Sequence, residues 1–242
     1  MGYVLAPQGS WPRLGLVVLS TDEVLEHEAR GLFAARDIRL VHSRIRSAPA
    51  VTPASLREMQ GRMPVSAGRL PDGLDVIGYG CTSASVFIGP TSVAEAIATV
   101  HPGVPVTNPI SAVVDALRAF GARRIGLVTP YTAQVSGPMR AFLAREWIET
   151  AEEISFGEED DRRVARITPA STLAAILAAG QADGIEAVFT SCTNLRAFDV
   201  IDEAEARLNL PVISSNLALI WHMLRLARVD ARGWGPGRLF RI

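Results

Sequence analysis

Cys81 and Cys192 are the only thiols among 242 residues, and each closes a short apolar run, VIGYGC and AVFTSC. Two cysteines are too few for a disulfide scaffold, and a reducing compartment would keep them free. A cysteine taken alone is most often a small buried hydrophobe, but the spacing of these two argues for chemistry. Gly15 and Cys81 are 66 residues apart, and Gly126 and Cys192 are again 66 residues apart. Each cysteine is followed by Thr, a helical stretch, a Pro-Val pair (Pro105-Val106 and Pro211-Val212) and an amphipathic segment with similar endings, VVDALRAFG and LIWHMLRLA. Matched thiols suit a reaction that removes a group from one face of a carbon and restores it from the other. Cys81 and Cys192 are therefore the candidate catalytic pair.

The elements that must position them follow from periodicity. Short β-branched runs alternate with stretches of helical spacing, the signature of β-α units and a parallel sheet. The first four runs are Leu14 to Ser20, Ile38 to Ile45, Leu74 to Gly80 and Val104 to Asn108. The order then restarts with Arg123 to Tyr131, a weaker run Thr150 to Phe156, Ile185 to Ser191 and Leu210 to Ser215. This is an internal duplication. It predicts an α/β fold of two pseudo-symmetric doubly wound domains, each with a mostly parallel four-stranded sheet flanked by helices. Residues 1–109 form the first, with 216–242 packing back on it, and 110–215 form the second. Ligands of open parallel sheets bind at the carboxyl ends of the strands, so the two thiols should meet in a cleft between the halves.

Local signals add detail. Ser20 and Glu23 read as a capping box, and Thr52 before Pro53 as a helix start. The polar run Gly157 to Arg163 reads as a solvated turn. Around the cysteines, Thr82, Ser83, Thr193 and Asn194 offer hydroxyls and an amide beside free backbone N–H groups at a helix N-terminus, which suits a carboxylate. The same helix dipole is expected to lower the thiol pKa.

Several function classes are excluded. Net charge is −1 and the 24 basic residues are scattered, so nothing supplies the field a phosphate backbone requires, and nucleic acid is not a partner. Neither GxGxxG nor GxxxxGK[ST] occurs. His27, His42, His101 and His222 lie in separate segments without ligand spacing, so no metal or other cofactor is implied. His222, beside Trp221, reads as a packing residue. No apolar run is long enough to span a membrane, and the first residues lack a charged start followed by an apolar stretch, so a cytoplasmic location is expected.

The duplicated architecture, the cysteine after the third strand of each half and the block AVFTSCTNL resemble the aspartate/glutamate racemase superfamily over nearly the whole chain. The superfamily usually has an acid or His where this chain has Asn194, and Cys-Asn-Thr where it has Cys81-Thr82-Ser83. The likeness is closer to the maleate cis-trans isomerase branch, through LSTDEVLEHE, VTPY, FG…VARI and SSN. That branch implies Cys81 as the nucleophile, Cys192 as the proton donor and Tyr131 as a substrate hydrogen-bond partner. It carries Asn at the positions aligned with Asp22 and Asp161. An amide donates to a substrate carboxylate whereas an ionised Asp repels it, so the exchange favours a substrate whose ammonium pairs with Asp22 or Asp161. STDEVLEHE, VIGYGCTSAS and SCTNLR look most like the ectoine-utilisation proteins of the superfamily, the EutA type, whose context is breakdown to acylated diamino acids. The expected partner is thus a small, amine-bearing carboxylic acid, and relatives of this kind imply a homo-oligomer. The arylmalonate decarboxylases also resemble the chain but keep only the second-half cysteine, so Cys81 argues against decarboxylation. A binding protein that senses a metabolite in the same pocket is the non-catalytic alternative.

Overall fold

Each β-branched run that follows a Gly, Pro or polar break becomes a strand, and the stretch of helical spacing after it returns the chain for parallel pairing. In the computed structural model, which describes every residue except Met1, Gln8 and Ser10, eight such runs become strands, and three returns in each half build a sheet. Sequence reading of the extreme N-terminus falls partly on those three residues and so lies partly outside the described ones. The first half runs β1 (Arg13–Leu19), α1 (Leu25–Phe33), β2 (Arg39–Ile45), α2 (Pro53–Glu58), α3 (Met63–Ala67), β3 (Val76–Gly80), α4 (Thr82–Ile88), α5 (Pro90–Ala98) and β4 (Val106–Thr107). After α6 (Pro109–Ala119), the second half runs β5 (Arg124–Thr129), α7 (Ala133–Arg145), β6 (Glu149–Ser155), α8 (Asp161–Val164), α9 (Pro169–Gly180), β7 (Ala187–Thr190), α10 (Phe198–Leu208) and β8 (Val212–Ser214). The chain then enters α11 (Ser215–Leu226).

Both sheets are four-stranded and wholly parallel, in the matching orders β2-β1-β3-β4 and β6-β5-β7-β8. The predicted α/β class with two like sheets is what the fold shows. The central strands are buried on both faces, which is why β3 and β7 read as unbroken apolar runs, whereas β6 is an edge strand with partly exposed side chains. That position explains its weak signal: Glu153 sits there because its carboxylate pairs with Arg140 of α7 at 3.1 Å.

One apolar core runs through both halves. Helix α11 packs against α6 and against β3 and β4 of the first sheet. Gly78 makes that approach possible, since a Cβ there would lie 2.5 Å from Met223 Sδ. His222 ties the same three elements, with Nδ1 2.7 Å from Thr107 Oγ1 and Nε2 3.3 Å from Asp115 Oδ2, a packing role. Gly126 serves α9 similarly: a Cβ there would sit 2.5 Å from the Ala179 carbonyl oxygen. The residues beyond α11 touch both halves, through Arg36 stacked over Trp234 and Gly237 N–H donating to Asp202 at 2.9 Å.

Two local expectations change. Thr52 does cap α2, exchanging hydrogen bonds with Ser55 in a capping box. Ser20 and Glu23 do not form one. The loop after β1 is longer than that motif allows, α1 begins at Leu25, and Asp22 Oδ1 accepts from the N–H groups of Val24 (2.9 Å) and Leu25 (2.8 Å). Ser20 instead meets Ser47 across the sheet edge, Oγ to Oγ 3.1 Å. The polar run 157–163 is also more than a solvated turn, because Asp161 within it is buried. Among the described residues no helix is long and apolar enough to cross a membrane.

Candidate active site

Strand β3 ends at Gly80, and Cys81, in an extended conformation, occupies the position before α4 where a serine or aspartate usually caps. Its Sγ accepts from the Ala84 N–H at 3.4 Å and lies 3.7 Å from Ser83 Oγ. Cys192 stands at the corresponding end of β7, but the symmetry stops at the backbone. Its φ is +101°, a region that non-glycine residues rarely adopt. Its Sγ accepts from the Asn194 N–H at 3.4 Å, and the next helix, α10, starts only at Phe198. Helix-dipole support is therefore available to Cys81 alone.

Both thiols are almost fully buried, and burial outweighs the N–H groups that point at them. The Cys81 pKa is pushed up to about 12, by burial first, with Ala84 and Ser83 opposing and Asp161 and Asp22 adding to the rise. The Cys192 pKa is raised well above its ordinary value, by burial and then by the charge of Asp161, with Tyr131 opposing. This corrects the expectation of a lowered thiol pKa: in the closed site both sulfurs hold their protons at neutral pH. Tyr131 is buried too, and its hydroxyl interacts with both Cys192 and Ser83.

One small cavity of about 20 Å³, room for little more than a water molecule, is lined by Cys81, Ser83, Tyr131, Asp161, Cys192 and Thr193. Its remaining wall is largely apolar, from Leu19 and the segment that includes Ala48, Ala50, Val51, Leu56 and Met59. No Arg, Lys or His is among its described lining residues. The roof is held by backbone pairing between the halves: Ala50 bridges Asp160, Val51 N–H donates to the Glu159 carbonyl and Asp161 N–H to the Pro49 carbonyl, both at 2.9 Å. A roomier hollow of about 560 Å³ on α6 and α11, beside Asp115, Arg118 and His222, carries no cysteine.

The other residues singled out in the sequence lie just behind this cavity. Thr82 donates to Ser215 Oγ at 2.7 Å. The Asn194 amide clamps three backbone groups, donating to the carbonyls of Thr21 (3.2 Å) and Asp161 (2.8 Å) and accepting from Glu23 N–H (2.9 Å). Asp22 is fully buried; burial raises its pKa to about 7, Oδ1 caps α1, and Oδ2 has no hydrogen-bond partner among the described residues. Burial likewise raises the Asp161 pKa, with Thr21 and Asn194 opposing.

Sequence reasoning did not single out Thr21, Ser215, Asn216 and Glu28 as site residues. Asn216 donates to the Thr193 carbonyl (2.8 Å) and to Glu28 (2.7 Å), which also accepts from Ala197 and Phe198 N–H. Only the position of Ser215 and Asn216, directly after a strand, could have marked them. Among the described residues no group of three or more His, Cys, Asp or Glu could hold a metal ion.

A family model described as arylmalonate decarboxylase matches residues 14–240. The arylmalonate decarboxylase of Bordetella bronchiseptica is 32% identical over 96% of this chain and 98% of its own length. An alanine variant of the maleate isomerase Iso from Pseudomonas putida S16, solved with maleate, superposes with a TM-score of 0.88 at 28% identity, covering 96% of this chain and 98% of that one. A serine variant of the Nocardia farcinica maleate cis-trans isomerase, solved with a covalently bound succinylcysteine intermediate, gives 0.84 at 25% identity, covering 96% and 99%.

Proposed function

We propose that this chain, which belongs to the arylmalonate decarboxylase family, is a cofactor-independent isomerase that moves a proton or a double bond beside the carboxylate of a small, amine-bearing acid. The carrying observation is that two thiols from matching positions share one closed cavity with a carboxylate, Asp161, and no cationic side chain. The likeness to maleate isomerases supports the cysteine chemistry.

In the proton-transfer form, one cysteine as thiolate takes the α-proton and the opposite thiol gives one to the other face of the carbon, leaving the pair with its charge exchanged. In the cis-trans form, the Cys81 thiolate adds to one alkene carbon and Cys192 protonates the other. The carbon–carbon single bond rotates, Cys192 takes the proton back, and the C–S bond breaks. Ser83, Thr193 and Tyr131 hold the carboxylate, while the closed roof keeps water from the carbanion. An ammonium beside Asp161 neutralises a charge that raises both thiol pKa values, so the proper substrate itself favours the thiolate. Acyl diamino acids of the kind formed from ectoine meet this description, and the likeness of STDEVLEHE and SCTNLR to ectoine-utilisation proteins supports that class. The same likeness and reduced cysteines accord with a cytoplasmic protein, working as a homo-oligomer.

Decarboxylation is the second reading, favoured by the 32% identity to the Bordetella enzyme. The test is incubation in D2O with N-acetyl-2,4-diaminobutyrate, maleate and phenylmalonate. Deuterium at the α-carbon of the diamino acid, without CO2, supports the proposal. CO2 from phenylmalonate at a comparable rate replaces it with decarboxylation, and binding without turnover replaces it with a sensor.

A further inference from the structure

We infer that Ser215 is a positioning residue that fixes the backbone of Cys192 and couples it to the Cys81 loop; this rests on the reading that both thiols act on one substrate carbon. Strand β8 delivers Ser214 and Ser215 to the carboxyl edge of the second sheet, where they divide the work. Ser214 caps α11, its Oγ accepting from Leu217 N–H at 3.1 Å. Ser215 is then free to turn inward, and it is completely buried. Its Oγ accepts from the Cys192 N–H at 3.1 Å and from the Thr82 hydroxyl at 2.7 Å. One oxygen thus joins the amide of one thiol residue to the neighbour of the other, across the boundary between the halves.

Cys192 needs such a partner. A non-glycine residue at a φ of +101° persists only where its surroundings hold it. Two restraints flanking the strained residue come from the start of α11: Ser215 holds the Cys192 N–H, and Asn216 holds the Thr193 carbonyl at 2.8 Å. Without the Ser215 hydroxyl, a buried N–H loses its acceptor and the backbone relaxes toward an ordinary φ, swinging Sγ away from the position it shares with Cys81. Ser215 does not line the cavity, so it acts through Cys192 rather than on substrate.

The experiment follows iodoacetamide alkylation of Cys192 against pH, with Cys81 read in the same digests, in Ser215→Ala, Ser215→Thr and Thr82→Val. Ser215→Ala should change the Cys192 rate by about tenfold and displace its pH profile, leaving Cys81 much less altered. Ser215→Thr, which keeps the hydroxyl, should return the profile toward wild type. In deuterium exchange of N-acetyl-2,4-diaminobutyrate, Ser215→Ala should lower kcat by about 30-fold with KM changed less than about threefold. A folded Ser215→Ala protein with a wild-type Cys192 profile overturns the inference. Should that variant not fold, Thr82→Val, which removes one bond and keeps Ser215, must still move the Cys192 profile, and an unmoved profile overturns it equally. The alkylation arm needs no substrate, so a wild-type protein inert toward every acid tested would sink the proposed function and leave this comparison to decide the role of Ser215.

Discussion

The Thr21 hydroxyl of the first half donates to Asp161 Oδ2 of the second at 2.5 Å, so the carboxylate that lines the thiol cavity is held from across the chain. Of the two aspartates singled out in the sequence, Asp161 is the one in the cavity wall. Asp22 is set behind it as a helix cap.

Asp161→Asn should therefore shift substrate preference more than Asp22→Asn. We expect kcat/KM for N-acetyl-2,4-diaminobutyrate to fall about tenfold or more, and affinity for maleate to rise, because an amide replaces a repelling charge. An unchanged ratio between these two acids would remove Asp161 from recognition.

Cys81→Ala and Cys192→Ala should each reduce turnover by about a thousandfold without loss of fold, since each deletes a group with its own task. Cys192→Ser should be the informative variant with maleate: a mass increase confined to the Cys81 peptide marks covalent addition. Deuterium exchange without any adduct would favour the proton-transfer form.

Tyr131→Phe should lower kcat by about a hundredfold with a smaller effect on stability, as it removes a hydroxyl between Ser83 and Cys192. Full activity in this variant would confine Tyr131 to packing.

Asp22 gives a pH dependence of stability with a definite sign. Its pKa rises from 3.8 to about 7 on folding, so its protonated form favours the folded state. That contribution is complete below the unfolded value and is lost as pH rises through about 7. Glu28, also raised to about 7 by burial, adds to the same trend. Asp22→Asn keeps a competent cap and removes the titration. It should match wild type near pH 4 and exceed it near pH 8 by an amount on the order of a few kcal/mol. Denaturant unfolding at the two pH values measures this, and parallel curves would refute it.

All eight strands and the pairing of the halves were legible because buried parallel strands leave unbroken apolar runs, and a duplicated unit leaves them at equal spacing. The cysteines were legible for the same reason. Asp22 shows where such reading stops: its type suggested a ligand for substrate, but a buried carboxylate three residues before the first residue of a helix is also a good cap. The thiol pKa values were misjudged because N–H groups at a helix start are visible in a sequence, whereas the depth of burial that opposes them is not. The roof was hidden for a different reason. Pro49 to Val51 meets Glu159 to Asp161 through backbone atoms, which carry no residue-type signature.

That backbone seam is also a clock. The amide hydrogens of Val51 and Asp161 are engaged across it, and they can exchange with solvent only when the two edges part. A substrate larger than the 20 Å³ space between the thiols needs the cavity beneath that seam to widen. Where reclosing is slower than chemical exchange, the exchange rates of these two amides count how often the two edges part.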